Sequence, residues 1–138
     1  MDDHRAIVLT NQLAEIERVA QEVEAFGQAH GIAAKLIFNV NLALDEILSN
    51  VISYGYPEGG EHAITVRLAL NAADLVIEVE DDGQPFNPLE IAPPDLNQTA
   101  ADRPIGGLGL HLVRKVMDRL EYRREQGKNI FVMTKAVR

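Results

Sequence analysis

The sequence predicts an α+β fold. Two long segments with apolar residues at helical spacing come early, two strand-like alternating runs follow, and a glycine-led helical segment precedes a closing hairpin pattern.

The elements follow in chain order. Arg5 to Thr10, "RAIVLT", suits a short strand, and Asn11 is placed to cap a helix whose apolar positions Leu13, Ile16, Val19, Ala20, Val23 and Phe26 recur at helical spacing. Gly31 fits the end of that helix. A second helix is predicted from about Ala33 to Tyr54, with Ile37, Val40, Leu44, Ile47, Leu48 and Val51 within roughly 60° of one mean direction. "HAITVRLAL" and "DLVIEVED" read as strands joined through "NAA", which is short enough for an antiparallel hairpin. Residues 83 to 104 hold most of the prolines, in a stretch too long and too polar for an ordinary connection. "GGLGLHLVRKVMDRL" then opens with glycines and continues as an amphipathic helix, and "LEYRREQGKNIFVMTKAV" closes as a hairpin turning at Gln126, Gly127 and Lys128.

Composition narrows the function. The 138 residues, 46 % of them hydrophobic, suffice for one compact soluble domain with a single core, and neither an internal repeat nor a second domain is visible. A formal net charge of −8 argues against nucleic acid or an anionic membrane as a general partner. The chain has no cysteine, which removes disulfides, thiolate zinc sites and cysteine nucleophiles and fits a reducing compartment. With no signal peptide pattern and no apolar run of about 18 residues, the expectation is a cytoplasmic protein.

Three short stretches carry polar residues in pointed places. In "LDEILSNVISYGYP", Glu46 and Asn50 lie one turn apart, about 40° from each other around the helix and roughly opposite the apolar stripe, in line with Asn39 and Ala43. A solvated face accounts for such a pair. So does a pocket wall, in which an amide oxygen ligates magnesium and the carboxylate accepts a proton. In "VEDDGQPFNP", Asp81 and Asp82 point to opposite sides of a strand, so only one can face a pocket, and Gly83 leaves room for a close neighbour. An Asp-Gly turn with a solvated carboxylate is the plain alternative; a buried carboxylate would suit an exocyclic amine such as adenine's. In "PIGGLGLHLV", Gly106, Gly107 and Gly109 open a helix whose free amides and dipole favour an anion, although glycines also serve at a flexible helix start. Neither a Walker A loop nor a dinucleotide-binding fingerprint is present, and the H-R-D and D-F-G signatures of protein kinases are missing.

In this order, "DEILSNVISYGYP", "DDGQPFNP" and "GGLGLHLVRKVMD" closely resemble the N, G1 and G2 boxes of the GHKL ATPase superfamily, over nearly the whole chain. Within it the sequence is most similar to the bacterial anti-sigma-factor serine/threonine kinases, through "Y-G-Y" after the N box and the Asp-x-Gly-x-Pro-Phe-x-Pro pattern. The resemblance implies a Bergerat-type two-layer α/β sandwich, in which a mixed, mostly antiparallel sheet is covered on one face by about three helices.

The resemblance also implies roles. Asn50 matches the magnesium-binding Asn, Glu46 the proposed general base, Asp81 the adenine-binding Asp and Gly83 the glycine beneath the base. Gly107 and Gly109 match the phosphate-loop glycines, with Gly106 beside them. Pro85, Phe86, Leu108, Leu110 and His111 come with these boxes as nucleotide-binding positions, although His111 equally suits a packing role. Residues from about Ile91 to Ile105 resemble the ATP lid, where Arg103 either reaches the γ-phosphate or stays solvated. Position 87 is Asn where relatives often have Asp, a difference expected to touch a turn more than the chemistry.

The implied function is phosphorylation, from Mg-ATP, of a serine or threonine on a STAS-domain anti-anti-sigma factor, with sequestration of a sigma factor as a second implied role. A homodimer is implied by the family alone. The alternative is a nucleotide-binding regulatory switch without kinase activity. The catalytic module of a histidine kinase is not expected, because none of His4, His30, His62 or His111 sits on a helical hairpin ahead of the domain.

Overall fold

The computed structural model describes residues 3–90 and 107–137. In chain order it contains β1 (His4–Thr10), α1 (Glu15–Ala29), α2 (Ala34–Tyr54), β2 (Ala63–Leu70), β3 (Asp74–Asp81), a 3-10 turn (Pro88–Glu90), α3 (Gly107–Val116), β4 (Arg119–Glu125) and β5 (Lys128–Ala136). The strands form one sheet in the order β1-β2-β3-β5-β4. Every neighbouring pair is antiparallel, so among the described residues the expected mixed sheet has no parallel member. Short links explain this: β2 to β3 and β4 to β5 are hairpins, and antiparallel neighbours need no crossover.

Alternation along the strands decides the two faces. Ile7 and Leu9, Ile64, Val66 and Leu68, Leu75, Ile77 and Val79, and Phe131 and Met133 are buried and form a core with the inner faces of the helices. The opposite face carries ion pairs, among them Arg67 with Glu78 and Glu80, and Arg123 with Glu78. One layer of helices on one face of one sheet is the arrangement anticipated for a two-layer α/β sandwich.

Two local expectations are corrected. Asn11 does not cap α1, which has no side-chain cap; its amide instead donates to the Gly60 carbonyl at 3.0 Å and accepts the His62 N–H at 2.9 Å, tying the end of β1 to the loop before β2. The glycine-led helix ends at Val116, short of the expected Leu120. Asp118 ends it, because its carboxylate accepts the Ala136 N–H at 2.6 Å and its own N–H donates to Thr134 at 2.9 Å, which starts β4 against β5. By length and composition α2 is apolar enough to cross a membrane, yet it is the central helix of this core.

Gly31 ends α1 as anticipated, at φ +67°, and Ile32 N–H donates back to Gly27 O at 2.9 Å. The closing hairpin turns through Gln126 and Gly127, at φ +51° and +78°, two left-handed residues that suit the twist of a two-residue hairpin; Lys128 already belongs to β5.

Candidate functional site

Asp81 is the last residue of β3, the central strand, and alternation aims it inward in the same row as Val79 and Ile77. Opposite it on β5 stands Asn129. Both are buried, at 5 % and 4 % exposure, in a row otherwise made of core residues. Asp81 Oδ1 accepts the Gly83 N–H and Asn129 Nδ2, each at 2.9 Å. Burial pushes the Asp81 carboxyl above its ordinary value, and the hydrogen bonds from Asn129 and Gly83 oppose that rise only in part. Asp82 points the other way, is exposed, and faces His62 Nδ1 at 3.3 Å; hydrogen bonding to His62 and its charge outweigh partial burial and lower the Asp82 carboxyl.

Asn129 organises the corner. Its Nδ2 also donates to the Gln84 carbonyl at 2.9 Å, while its Oδ1 accepts the Phe86 N–H at 3.2 Å and the Tyr122 hydroxyl at 2.5 Å. Arg124, the next inward residue on β4 after Tyr122, donates to the Gly83 carbonyl at 3.0 Å. Gln84 N–H donates to Gly55 O at 2.9 Å, so the loop after β3 is fastened to the end of α2. That closeness explains Gly83: a Cβ there would lie 2.7 Å from the Gly55 carbonyl oxygen. Gly83 does not have a positive φ, so close approach, and not turn conformation, is what demands glycine.

α2 supplies the other wall. Asn50 is 6 % exposed and donates from Nδ2 to Glu46 Oε1 at 3.2 Å. The expectation that this pair sits opposite the core is corrected. The buried face of α2 takes in Ala43 and Asn50 as well as the apolar stripe, because α3 packs beside it. Glu46 stays half-buried at the edge. Its carboxylate lies where a Cβ on Gly109 would have to go, so the first turn of α3 meets α2 at this acid.

A cavity of about 20 Å³ joins these walls, lined by Asn50, Gly55, Asp81, Gln84, Phe86 and Asn129 among others. Asp81 and Asn50 are thus brought to one cleft; Glu46 and Gly109 do not line it and join it through the Glu46–Asn50 hydrogen bond. Phe86 lines the cavity, whereas Pro85 is exposed and does not. Gly107 and Leu108 begin α3. Leu110 is fully buried in the core, so only its backbone can serve a ligand, and His111 is half-buried one residue on. Arg103, Gly106 and the expected lid lie outside the described residues. Asn87 does make a turn, accepting the Leu89 N–H on Oδ1 at 2.9 Å.

Sequence reasoning missed Asn129, Gln84, Tyr122 and Arg124. A signal existed for Asn129: it shares strand parity with Phe131 and Met133, which makes it a polar residue at an inward position of an apolar strand.

Among the described residues, an antiparallel sheet under three helices, with a buried carboxylate ending the central strand and the first turn of α3 meeting Glu46, gives a cleft suited to a nucleotide. The chain belongs to the family of histidine kinase-like ATPase domains, which matches residues 9–135. ATP is accordingly the nucleotide that it uses. Serine/threonine-protein kinase BtrW of Bordetella bronchiseptica is 31 % identical over 102 residues, covering 74 % of this chain and 72 % of that protein. Serine-protein kinase RsbW of Listeria monocytogenes is 29 % identical over 111 residues, covering 78 % and 70 %. Anti-sigma F factor of a Thermoanaerobacter species is 29 % identical over 116 residues, covering 83 % and 80 %. The crystal structure of the RsbU and RsbW domains of Rv1364c from Mycobacterium tuberculosis superposes on 97 % of this chain with a TM-score of 0.69. At 16 % identity that likeness speaks to the fold alone, and this chain spans 32 % of the longer one.

Proposed function

We propose that this chain is an ATP-dependent serine/threonine protein kinase of the anti-sigma-factor type. The observation that carries the reading is that Asn50 lines one cavity with Asp81 and is bonded to Glu46, the acid that Gly109 meets on α3. Kinase and anti-sigma names among its relatives support the same class.

The donor set fits Mg-ATP. Asp81 has Oδ1 engaged by Gly83 and Asn129, and its Oδ2 is the atom to receive adenine's exocyclic amine. Gly83, held against Gly55, keeps the loop after β3 close to the end of α2 beside Asp81. Glycine at 109 lets the first turn of α3 come close to Glu46, and a helix N-terminus is a favourable place for a phosphate. Asn50 is the magnesium ligand, through Oδ1, since its Nδ2 is bonded to Glu46. Magnesium at this position would take one oxygen from the protein, with phosphates and water supplying the rest. Bound Mg-ATP supplies the transferable phosphoryl group and neutralises the charge that develops on it. Glu46 orients the attacking hydroxyl of the substrate and takes its proton, and Asn50 keeps that carboxylate in place.

The protein substrate is a STAS-domain anti-anti-sigma factor, and a sigma factor is the protein the kinase holds in its other state. The test is incubation of the chain with γ-labelled ATP and a STAS-domain protein. Glu46→Gln should keep ATP affinity within a few-fold and cut label transfer by roughly a hundredfold. If the native chain transfers no label while ATP still governs partner binding, it is a nucleotide switch and not a kinase.

A further inference from the structure

A second cavity among the described residues differs in character from the nucleotide corner. It is a groove of about 790 Å³ between the outward sides of α1 and α2, open to solvent along its length. Its floor is apolar: Leu13, Ile16 and Ala20 from the α1 side, Ile32 from the connection, and Phe38 and Leu42 from α2. Two of these are large side chains left in water, Leu13 at 57 % and Phe38 at 62 % exposure. The exposed carboxylates of Glu17, Glu24 and Asp45 also line it, and among the described residues no Lys or Arg side chain does. Asn41 adds a third feature. Its Nδ2 donates to the Ala20 carbonyl at 3.3 Å, while its Oδ1 is buried without a hydrogen-bond partner.

We propose that this groove binds a cationic amphipathic helix of a partner protein. Two antiparallel helices joined by a short link leave between them a trough that a third helix fills with an apolar stripe. The α1 side of the groove runs from Leu13 to Gln28, about 20 Å, which matches roughly four helical turns. Three acids with no counter-charge in the lining select Lys and Arg flanking that stripe, and Asn41 Oδ1 offers an acceptor to one of their donors. The apolar face explains a peculiarity of α2: it is apolar enough to cross a membrane, yet less than half of that stretch is buried in the domain. The same three carboxylates repel an anionic bilayer. The groove does not include Glu46, Asn50 or Asp81, so binding here is expected without ATP and whether or not the kinase reading holds.

The probe is a fluorescein-labelled helical peptide of about 16 residues, with leucines at i, i+3, i+4 and i+7 and Lys/Arg on both flanks, against a twin carrying Glu on the flanks. Fluorescence anisotropy with the full chain should show saturable binding of the cationic peptide, weakening with salt, and none of the acidic twin. Phe38→Asp alters an exposed side chain, so the fold persists by circular dichroism while the peptide Kd rises about tenfold or more. The double variant Glu17→Lys/Glu24→Lys should raise Kd several-fold and flatten the salt dependence. Equal binding by both peptides, Kd unmoved by Phe38→Asp, or no binding at millimolar chain overturns the proposal. Two other results overturn it in favour of a different occupant: self-association in sedimentation that Phe38→Asp abolishes assigns the groove to a second copy, and cosedimentation with phosphatidylcholine vesicles that Phe38→Asp abolishes assigns it to a lipid surface.

Discussion

The Glu46 carboxylate occupies the space that a side chain at position 109 would need, so the proposed base and the phosphate-loop glycine are a matched pair. Gly109 lies within α3 and does not have a positive φ, so its backbone would accept alanine. Gly109→Ala should therefore leave thermal stability unchanged or raise it, with a helix-propensity gain of about 0.5–1 kcal/mol. The acid must swing aside, and phosphate transfer should fall steeply. In a Glu46→Ala background the same substitution should cost little further activity. An equal additional loss there would show that Gly109 acts through something other than Glu46.

Asp81→Asn separates binding from folding. The amide keeps an oxygen to accept from Gly83 and Asn129 but removes a charge whose burial is unfavourable. Melting temperature at neutral pH should hold or rise, while affinity for ATP and ADP alike drops by about 1.5–3 kcal/mol, the scale of a hydrogen bond to a charged acceptor. Calorimetric titration of both nucleotides checks it, and a larger loss from Asp82→Asn would contradict the inward placement of Asp81.

The raised Asp81 carboxyl also sets a pH dependence. In the folded chain this group keeps its proton to higher pH than in the unfolded chain. Its contribution to stability is thus fully present below the ordinary carboxylate range and is lost as pH rises through the raised folded value. Nucleotide affinity runs the opposite way, because the amine needs the ionised acceptor. On acidification it should begin to fall at a higher pH than an ordinary Asp would titrate. Asp81→Asn should abolish both trends.

Asn129→Ala is expected to be among the most destabilising single changes at the corner. It leaves Phe86 N–H and Gln84 O without their partner, frees the Tyr122 hydroxyl and strips Asp81 of a donor, with little volume to compensate. A loss of about 3 kcal/mol in urea unfolding is the expected scale for several buried polar groups left unpaired.

Asn50→Ala should abolish the magnesium dependence of ATP binding. Because Asn50 is buried, and not on a solvated face, some loss of stability accompanies it, and thermal melting without nucleotide measures that part separately. Magnesium-dependent affinity surviving in the alanine variant would remove Asn50 from the metal site.

The sequence by itself determined the order and type of the elements, since period, glycines and turn residues are local properties. It also showed that only one of Asp81 and Asp82 could face inward, because strand alternation opposes them, and the resemblance chose Asp81. Its motifs pointed to Glu46, Asn50 and the G2 glycines through resemblance. Several matters waited for tertiary structure. Whether Glu46 and Asn50 faced water or a cleft depended on α3 packing beside α2, a contact between segments about sixty residues apart that no helical wheel contains. Asn11 looked like a cap because its neighbours are helical, and a loop fifty residues on claimed its side chain instead. Asn129 became the partner of Asp81 only through the register of β5 against β3. The periodicity of one chain segment reports which side chains share a face; what that face meets is set by long-range pairing, and the energetics of a buried carboxylate come from that meeting.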